Sequence, residues 1–375
     1  MTHRERVLTA LAHKEPDRVP LDLGGSAYSI NDAHYFKLKE YLGIKGDIEP
    51  YRQGHTGNYY DERVLECLDI DFRHVGMRSA GKTQINPDGT FTNEWGIPMI
   101  RTGVFMSVAG HPLAAAGLSE LDSHPWPDPR APGRTAGLRE KALHYRQDTD
   151  YALVARAPAS VGLFETACFL RGTEAFLMDI AADKAFARKL LGKITQVFLG
   201  LLDVYMDAVG DLVDIVIWGE DLAHQQGLFF SLKTYRELFK PLHTEIFAHV
   251  KRKAPGVKVM FHCCGSMHSL IPEFIEAGVD IVQSIQPLAV GMDSFQLKRN
   301  FGERVCFQGG IDVQQALPGS IAEVEEELQT RLRALAPGGG YILAPSNNVQ
   351  EDIPPENLVR LYRRGAEWGK YPIRI

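Results

Sequence analysis

Cysteine is scarce in this chain: five in 375 residues, an odd number that includes one adjacent pair. They form no paired framework of the small secreted kind, so a reducing compartment is favoured. No uninterrupted apolar stretch approaches a membrane span, and Met1-Thr2-His3-Arg4-Glu5-Arg6-Val7-Leu8 lacks an apolar signal core. The expected location is the cytoplasm. Positive charge is not in excess: the formal net charge is -6. That removes any global electrostatic case for nucleic acid or an anionic membrane, while leaving room for a local basic patch. There is no low-complexity tract, no short repeat, and no Gly-x-Gly-x-x-Gly turn after any strand-like run. A hydrophobic share of 45% and a charged share of 23% are ordinary for a globular protein. The length fits two average domains or one large α/β barrel.

Up to about residue 150 the pattern is irregular. Thr2-x-x-Glu5 is a capping box, followed by Val7, Leu8 and Leu11 at helical spacing, and Pro16 ends that helix. Val19 to Leu23 reads as a strand entering Gly24-Gly25. Asp61 to Leu68 reads as a helix, and Met77 to Arg101 as hairpin material around Asn86-Pro87-Asp88-Gly89. Pro112 to Pro132, rich in proline, alanine and glycine, is expected to be an elaborated loop over a site.

After residue 150 a rhythm sets in. Apolar runs at Tyr151–Ala157, Leu212–Trp218, Val257–Phe261, Val279–Ile285, Val305–Gln308 and Gly340–Ala344 read as strands. Helices are expected from Asp183 to Val209, Ser231 to Lys253, Met267 to Ala277, Phe295 to Asn300, after Ser320-x-x-Glu323, and from Pro355 to Trp368. Short continuous apolar strands alternating with helices imply parallel strands buried on both faces. With Val19–Leu23 and a further strand near residue 73, the expected fold is α/β, a distorted (β/α)8 barrel with an elaborated N-terminal region. Residues 1-375 are read as one unit, with 1-150 supplying the first helix, first strand and cap, and 151-375 the regular βα units. The alternative is an open doubly wound sheet, although its glycine-rich turn is missing.

The most informative run is Val257-Lys258-Val259-Met260-Phe261-His262-Cys263-Cys264-Gly265. An apolar strand ends in an imidazole and two thiols. Side chains at i and i+2 of an extended segment share a side, so His262 and Cys264 can face one ion while Cys263 points away. Nitrogen and sulfur donors at this spacing suit zinc, though they are only two ligands. The alternative is a pair of buried cysteines and a satisfied core histidine.

In a barrel the site lies at the C-terminal strand ends. Those ends carry Asp22, Glu220, Asp221, His262, Cys264, Gln283, Gln286, Gln308, Asp312, Asn347 and Asn348. Of the pair Glu220-Asp221, Glu220 is taken as the better metal ligand or proton-transfer group, against a role in capping. Asp312 follows two glycines and reads either as a catalytic carboxylate or as a turn aspartate. Asp22, Gln308, Asn347 and Asn348 are the candidate substrate contacts. Cys67, Cys168 and Cys306 read as packing residues, His243 and His249 as surface residues on a helix, and His55 as exposed or entering the pocket.

The chain resembles the uroporphyrinogen decarboxylase superfamily, and within it the cobalamin-dependent methyltransferase branch. The resemblance rests on Arg18-Val19-Pro20, Asn93-Glu94-Trp95-Gly96-Ile97 and Phe261-His262-Cys263-Cys264-Gly265-Ser266. Gly278-Val279-Asp280-Ile281, Phe307-Gln308-Gly309-Gly310-Ile311-Asp312 and Pro354-Pro355-Glu356-Asn357 complete it. It implies a distorted barrel and a methyl transfer between a small substrate, or a thiol- or folate-type acceptor, and a corrinoid (cobalamin) carried by a partner protein. It also implies zinc (Zn2+) on His262, Cys264 and a later cysteine. This chain has Asn347 at the later position, so Glu220 or another oxygen donor is expected to serve as third ligand. The segment 105–135 is expected to gate the mouth. In the decarboxylase branch an arginine-rich segment grips substrate carboxylates; here Leu21-Asp22-Leu23-Gly24-Gly25-Ser26 has no arginine. A metal-free carboxy-lyase and a non-catalytic corrinoid- or partner-binding homologue are the competing readings. Oligomeric state stays open, a homodimer among the options.

Overall fold

The computed structural model describes residues 1–375 except 26, 53, 54, 82, 83, 104 and 160. Seven strands pair in strict chain order to form one parallel sheet: β1 (Phe72–Val75), β2 (Ala152–Ala155), β3 (Ile215–Gly219), β4 (Lys258–His262), β5 (Ile281–Ser284), β6 (Cys306–Ile311) and β7 (Tyr341–Pro345). Such monotonic order is that of a curling barrel; a doubly wound sheet reverses direction at a switch point.

The eighth place is filled by residues 19–23. Leu343 N donates to Pro20 O and Asp22 N to Leu343 O, both at 2.9 Å, on one side. On the other side Asp71 N donates to Leu21 O at 2.9 Å. These bonds close the seam between β7 and β1. The segment makes a single bridge, Leu21 to Leu343, and no ladder. Pro20 has no N–H to offer, and Gly24 turns the chain away at φ 99°.

Helices follow the strands as crossovers. Lys184–Val209 buries Leu190, Ile194, Phe198, Leu201 and Tyr205 along one stripe, and Asp183 caps its start. Burying each such side chain contributes roughly 1.5–3 kcal/mol. The expected helix from Ser231 is broken: a π turn at Tyr235–Phe239 precedes Lys240–Lys253. Helices at Asp32–Tyr41, Leu138–Asp148, Leu163–Arg171 and Thr173–Ala182 had no counterpart in the sequence reading. The Met77–Arg101 region, of which 82 and 83 lie outside the described residues, leads into a three-stranded antiparallel sheet with strands at Thr90–Thr92, Pro98–Thr102 and Phe105–Val108.

The 105–135 segment differs from its expected role as a gate. Asp122 pairs with Lys189 and Lys193, Arg130 with Asp203, and Arg171 donates to the carbonyls of Leu113, Ala114 and Ala116. These contacts fasten it along the outer helix Lys184–Val209 and its neighbour. No helix is long and apolar enough to cross a membrane among the described residues.

Candidate metal centre at the barrel mouth

β4 delivers His262 to the mouth, where it is 7% exposed. His262 Nε2 lies 3.5 Å from Cys264 Sγ, so the two share a face. Cys263 points the other way, fully buried, and its sulfur accepts the Leu222 N–H at 3.4 Å. Gly265 then turns at φ 80°; a Cβ there would meet His224 C and O at 2.6 Å, so only glycine lets this loop pass.

The carboxylate that completes the cluster is Asp221. Its Oδ1 lies 3.5 Å from His262 Nε2 and accepts the Cys264 N–H at 2.7 Å. One donor atom from each of Asp221, His262 and Cys264 falls within 4.8 Å of the others. Tetrahedral zinc with bonds of about 2.0–2.3 Å needs donor separations of roughly 3.3–3.8 Å, so the two 3.5 Å spacings to His262 Nε2 fit. Three ligands and a free fourth position are the pattern of a catalytic rather than a structural site.

This corrects the preference for Glu220. Glu220 is fully buried behind the mouth, and its oxygens are taken by Phe164 N–H, by Trp218 Nε1–H at 3.2 Å and by His243 Nε2–H at 2.6 Å. Strand alternation explains the placement. Trp218 and Glu220 share the outer face, against the helix that carries His243, while Asp221 faces inward. His243 is therefore a buried partner and not a surface residue; its Nδ1 accepts from the Tyr235 hydroxyl at 3.1 Å. His249 is half-buried beside Asp203, and Cys67 is exposed.

The surroundings tune the donors. His262 Nδ1–H donates to Gln283 Oε1, which leaves the Nε2 lone pair facing the cluster. Asn347 Nδ2 donates to Cys264 Sγ at 3.3 Å, and its Oδ1 is held by Asn348 N–H at 2.7 Å. Asn347 thus supports the sulfur, with its oxygen turned to its own neighbour. Burial, and then the Asp221 charge, push the Cys264 thiol up, favouring its protonated form. Desolvation and Asp221 also push Glu165 up to about 8; its Oε2 accepts the Asp221 N–H at 3.1 Å.

The remaining expected contacts separate from this cluster. Asp312 accepts from the N–H groups of Gln314, Gln315 and Ala316 at 3.0, 2.8 and 2.9 Å. That is a turn anchor, and the catalytic reading of Asp312 is withdrawn. Asn348 Oδ1 accepts from the Ser29 N–H and hydroxyl, each at 2.8 Å, and ties the loop after the first segment to the loop after β7. Asp22 and Gln308 lie inside the barrel, fully buried: Asp22 accepts from His74 Nε2–H at 3.0 Å and from Gln308 Nε2–H at 3.2 Å. The buried atoms His74 Nδ1, Gln283 Nε2 and Gln308 Oε1 have no protein partner among the described residues. His74 is absent from the strand-end candidates; Gln283 and Asp221 stand among them, with Glu220 preferred to Asp221 as ligand. Inward parity at the end of β3 is the signal that finds Asp221.

Comparison with known proteins follows the same lines. Residues 146–368, from just before β2 through the last helix, match the family described as uroporphyrinogen decarboxylase (URO-D). A uroporphyrinogen decarboxylase of Chlorobium luteolum is 26% identical over 176 residues, 46% of each chain. One from Sodalis glossinidius is 35% identical over 63 residues, 17% of this chain and 18% of that protein. The chain thus spans less than half the length of these curated relatives. A solved methyltransferase from Methanosarcina mazei is similar end to end in fold, with a TM-score of 0.66 over 98% of this chain and 99% of its own, at 17% identity. The fold and more than half of the sequence point the same way, and the chain belongs to the uroporphyrinogen decarboxylase family.

Proposed function

We propose that this chain is a methyltransferase in which Asp221, His262 and Cys264 hold zinc, moving a methyl group between a small substrate and a corrinoid on a partner protein. The observation that carries the reading is the convergence of three donor atoms of different elements within 4.8 Å at one strand end. The methyltransferase name of the Methanosarcina mazei neighbour supports the same chemistry. The corrinoid follows from the resemblance described above.

Zinc bound here supplies a Lewis acid that improves the leaving atom of a methyl donor or lowers the pKa of an acceptor thiol. The chain's own residues do the rest. Gln283 fixes the tautomer and ring plane of His262. Asn347 donates to Cys264 Sγ and tempers its negative charge. Glu165 and the Cys264 N–H hold Asp221 from two sides. The Glu220–His243–Tyr235 chain locks the end of β3 from behind.

Metal analysis of the purified protein tests this. About one equivalent of zinc is expected, and loss of it in Cys264→Ser. Less than about a tenth of an equivalent, unchanged by that substitution, removes the mechanism. A carboxy-lyase is the second reading, favoured by the names of the curated relatives. Carbon dioxide release from a panel of small acids, undiminished by a chelator, decides for it.

A further inference from the structure

Further round the mouth, at the end of β2, the rim carries two guanidinium groups with no carboxylate in salt-bridge contact among the described residues. Arg156 directly follows β2 and is 7% exposed. Its Nη2 donates to Gly24 O at 2.7 Å and its Nη1 to the Tyr51 hydroxyl. Both guanidinium groups pack on the Tyr51 ring, with Arg156 Cζ 4.4 Å and Arg52 Cζ 5.0 Å from its centroid. Tyr60 packs against Arg156 at 4.9 Å, and Lys141 Nζ sits 5.6 Å from the Tyr60 ring.

Among the described residues no carboxylate comes within 4.0 Å of Arg52 or Arg156. The acids nearby have other hydrogen-bond partners: Asp32 holds Asn58, Asp61 pairs with Arg63, and Asp22 accepts from His74 Nε2–H. Arg52 donates Nε to Gly57 O at 2.7 Å, and neither its terminal nitrogens nor Arg156 Nε meet a protein acceptor among the described residues. Burial draws Arg52 down to about 10, and burial with both arginine charges draws His55 down to about 3. A buried cation is ordinarily paired, because desolvation is otherwise uncompensated.

We propose that Arg156 and Arg52 form a carboxylate-binding subsite, and that the small substrate handled at this mouth is a planar carboxylic acid lying against Tyr51. Two features select a carboxylate. The unpartnered terminal nitrogens of Arg52 form a fork that matches its plane and two oxygens, and the Arg156 charge stands beside it. The adjoining cleft is walled by Leu23, Tyr35, Tyr51, Tyr59 and Tyr60. Its aromatic walls suit an apolar body behind the charge. Arg156 stands one strand from β3, which leads into Asp221, and two from β4, so the carboxylate sits about 5–10 Å round the rim from the metal donors. Calling this acid the substrate rests on the methyl-transfer reading; anion capture by the two arginines does not.

Calorimetric titration of the full chain with benzoate, benzamide and inorganic phosphate tests the subsite. Benzoate is expected to bind, benzamide and phosphate at least tenfold more weakly, and Arg156→Gln and Arg52→Gln each to weaken benzoate by tenfold or more. Where Arg156→Gln does not fold, Arg52→Gln decides. A chelator leaves benzoate binding unchanged, so failure of the metal reading and failure of the subsite show up separately. Wild-type affinity in both variants, equal affinity for benzamide, tighter binding of phosphate, or no benzoate binding up to about 10 mM overturns the proposal.

Discussion

At the ends of β3 and β4 the barrel mouth presents a carboxylate, an imidazole and a thiol; beside them, at the end of β2, it presents two guanidinium groups packed on a phenol ring. The first side gathers donor atoms for a cation, and the second gathers cations. They also differ in construction. The metal side is made by neighbours in sequence on adjacent strands, so alternation along each strand decides which side chains converge. The cationic side is assembled from residue 52 on a long loop and residue 156 after β2, whose chain separation gives no periodic clue. A short-range rule builds one half, and long-range packing builds the other.

Removing one donor on the metal side is the largest expected break in this comparison. Cys264→Ser should lower zinc affinity by more than the ~10–100-fold typical of changes in outer-shell partners. Competition against a chromogenic chelator measures it. Benzoate binding in the same variant should stay at the wild-type level. Parallel loss of both would join the two halves into one cooperative unit and dissolve the contrast.

The end of β3 offers the next test, because its two adjacent carboxylates face opposite ways. Glu220→Ala leaves the Trp218 indole, the Phe164 N–H and His243 without their acceptor, and should cost about 3 kcal/mol or more in urea unfolding. Asp221→Asn should cost little stability and lower zinc affinity on the order of tenfold or more. The reverse pattern would restore Glu220 as the ligand.

These two residues mark how far the sequence could be read. Strand rhythm gave β2 through β7 with only short boundary errors, since runs buried on both faces are continuous and apolar. His262 and Cys264 stood out because parity was applied to their strand. The same parity at Trp218-Gly219-Glu220-Asp221 selects Asp221, provided Trp218 is known to face the outer helices, and that orientation is a tertiary fact. Asp312 was ambiguous because a turn aspartate and a catalytic aspartate look alike until the three N–H groups it accepts are in place. Arg156 carried no signal at all: an arginine after a strand is unremarkable until its lack of a carboxylate partner is seen. The Asp32–Tyr41 helix was missed although Asn31 caps it, because its exposed aromatic residues blur the apolar stripe.

A smaller effect sharpens the metal side. Gln283→Leu removes the acceptor that orients His262 while leaving every donor in place. Zinc affinity should fall ~10–100-fold, with the fold intact by circular dichroism. An unchanged affinity would show that the ring is held by packing alone.

The smallest effect lies on the cationic side and is read through pH. Burial first, then Arg52 and Arg156, depress His55 from 6.5 to about 3. A depressed histidine contributes stability that is complete above the unfolded value of about 6.5 and is lost as pH falls toward about 3, because the unfolded chain gains a proton that the folded chain refuses. His55→Asn should therefore flatten the decline in Tm between pH 7 and pH 4 relative to wild type, with little change at pH 8. Saturating benzoate should act in the same direction, since an anion between the two arginines offsets the charge that repels the proton. A decline unaltered by His55→Asn would mean that His55 does not feel those cations, and the two sides of the mouth would then be less electrically distinct than their side chains suggest.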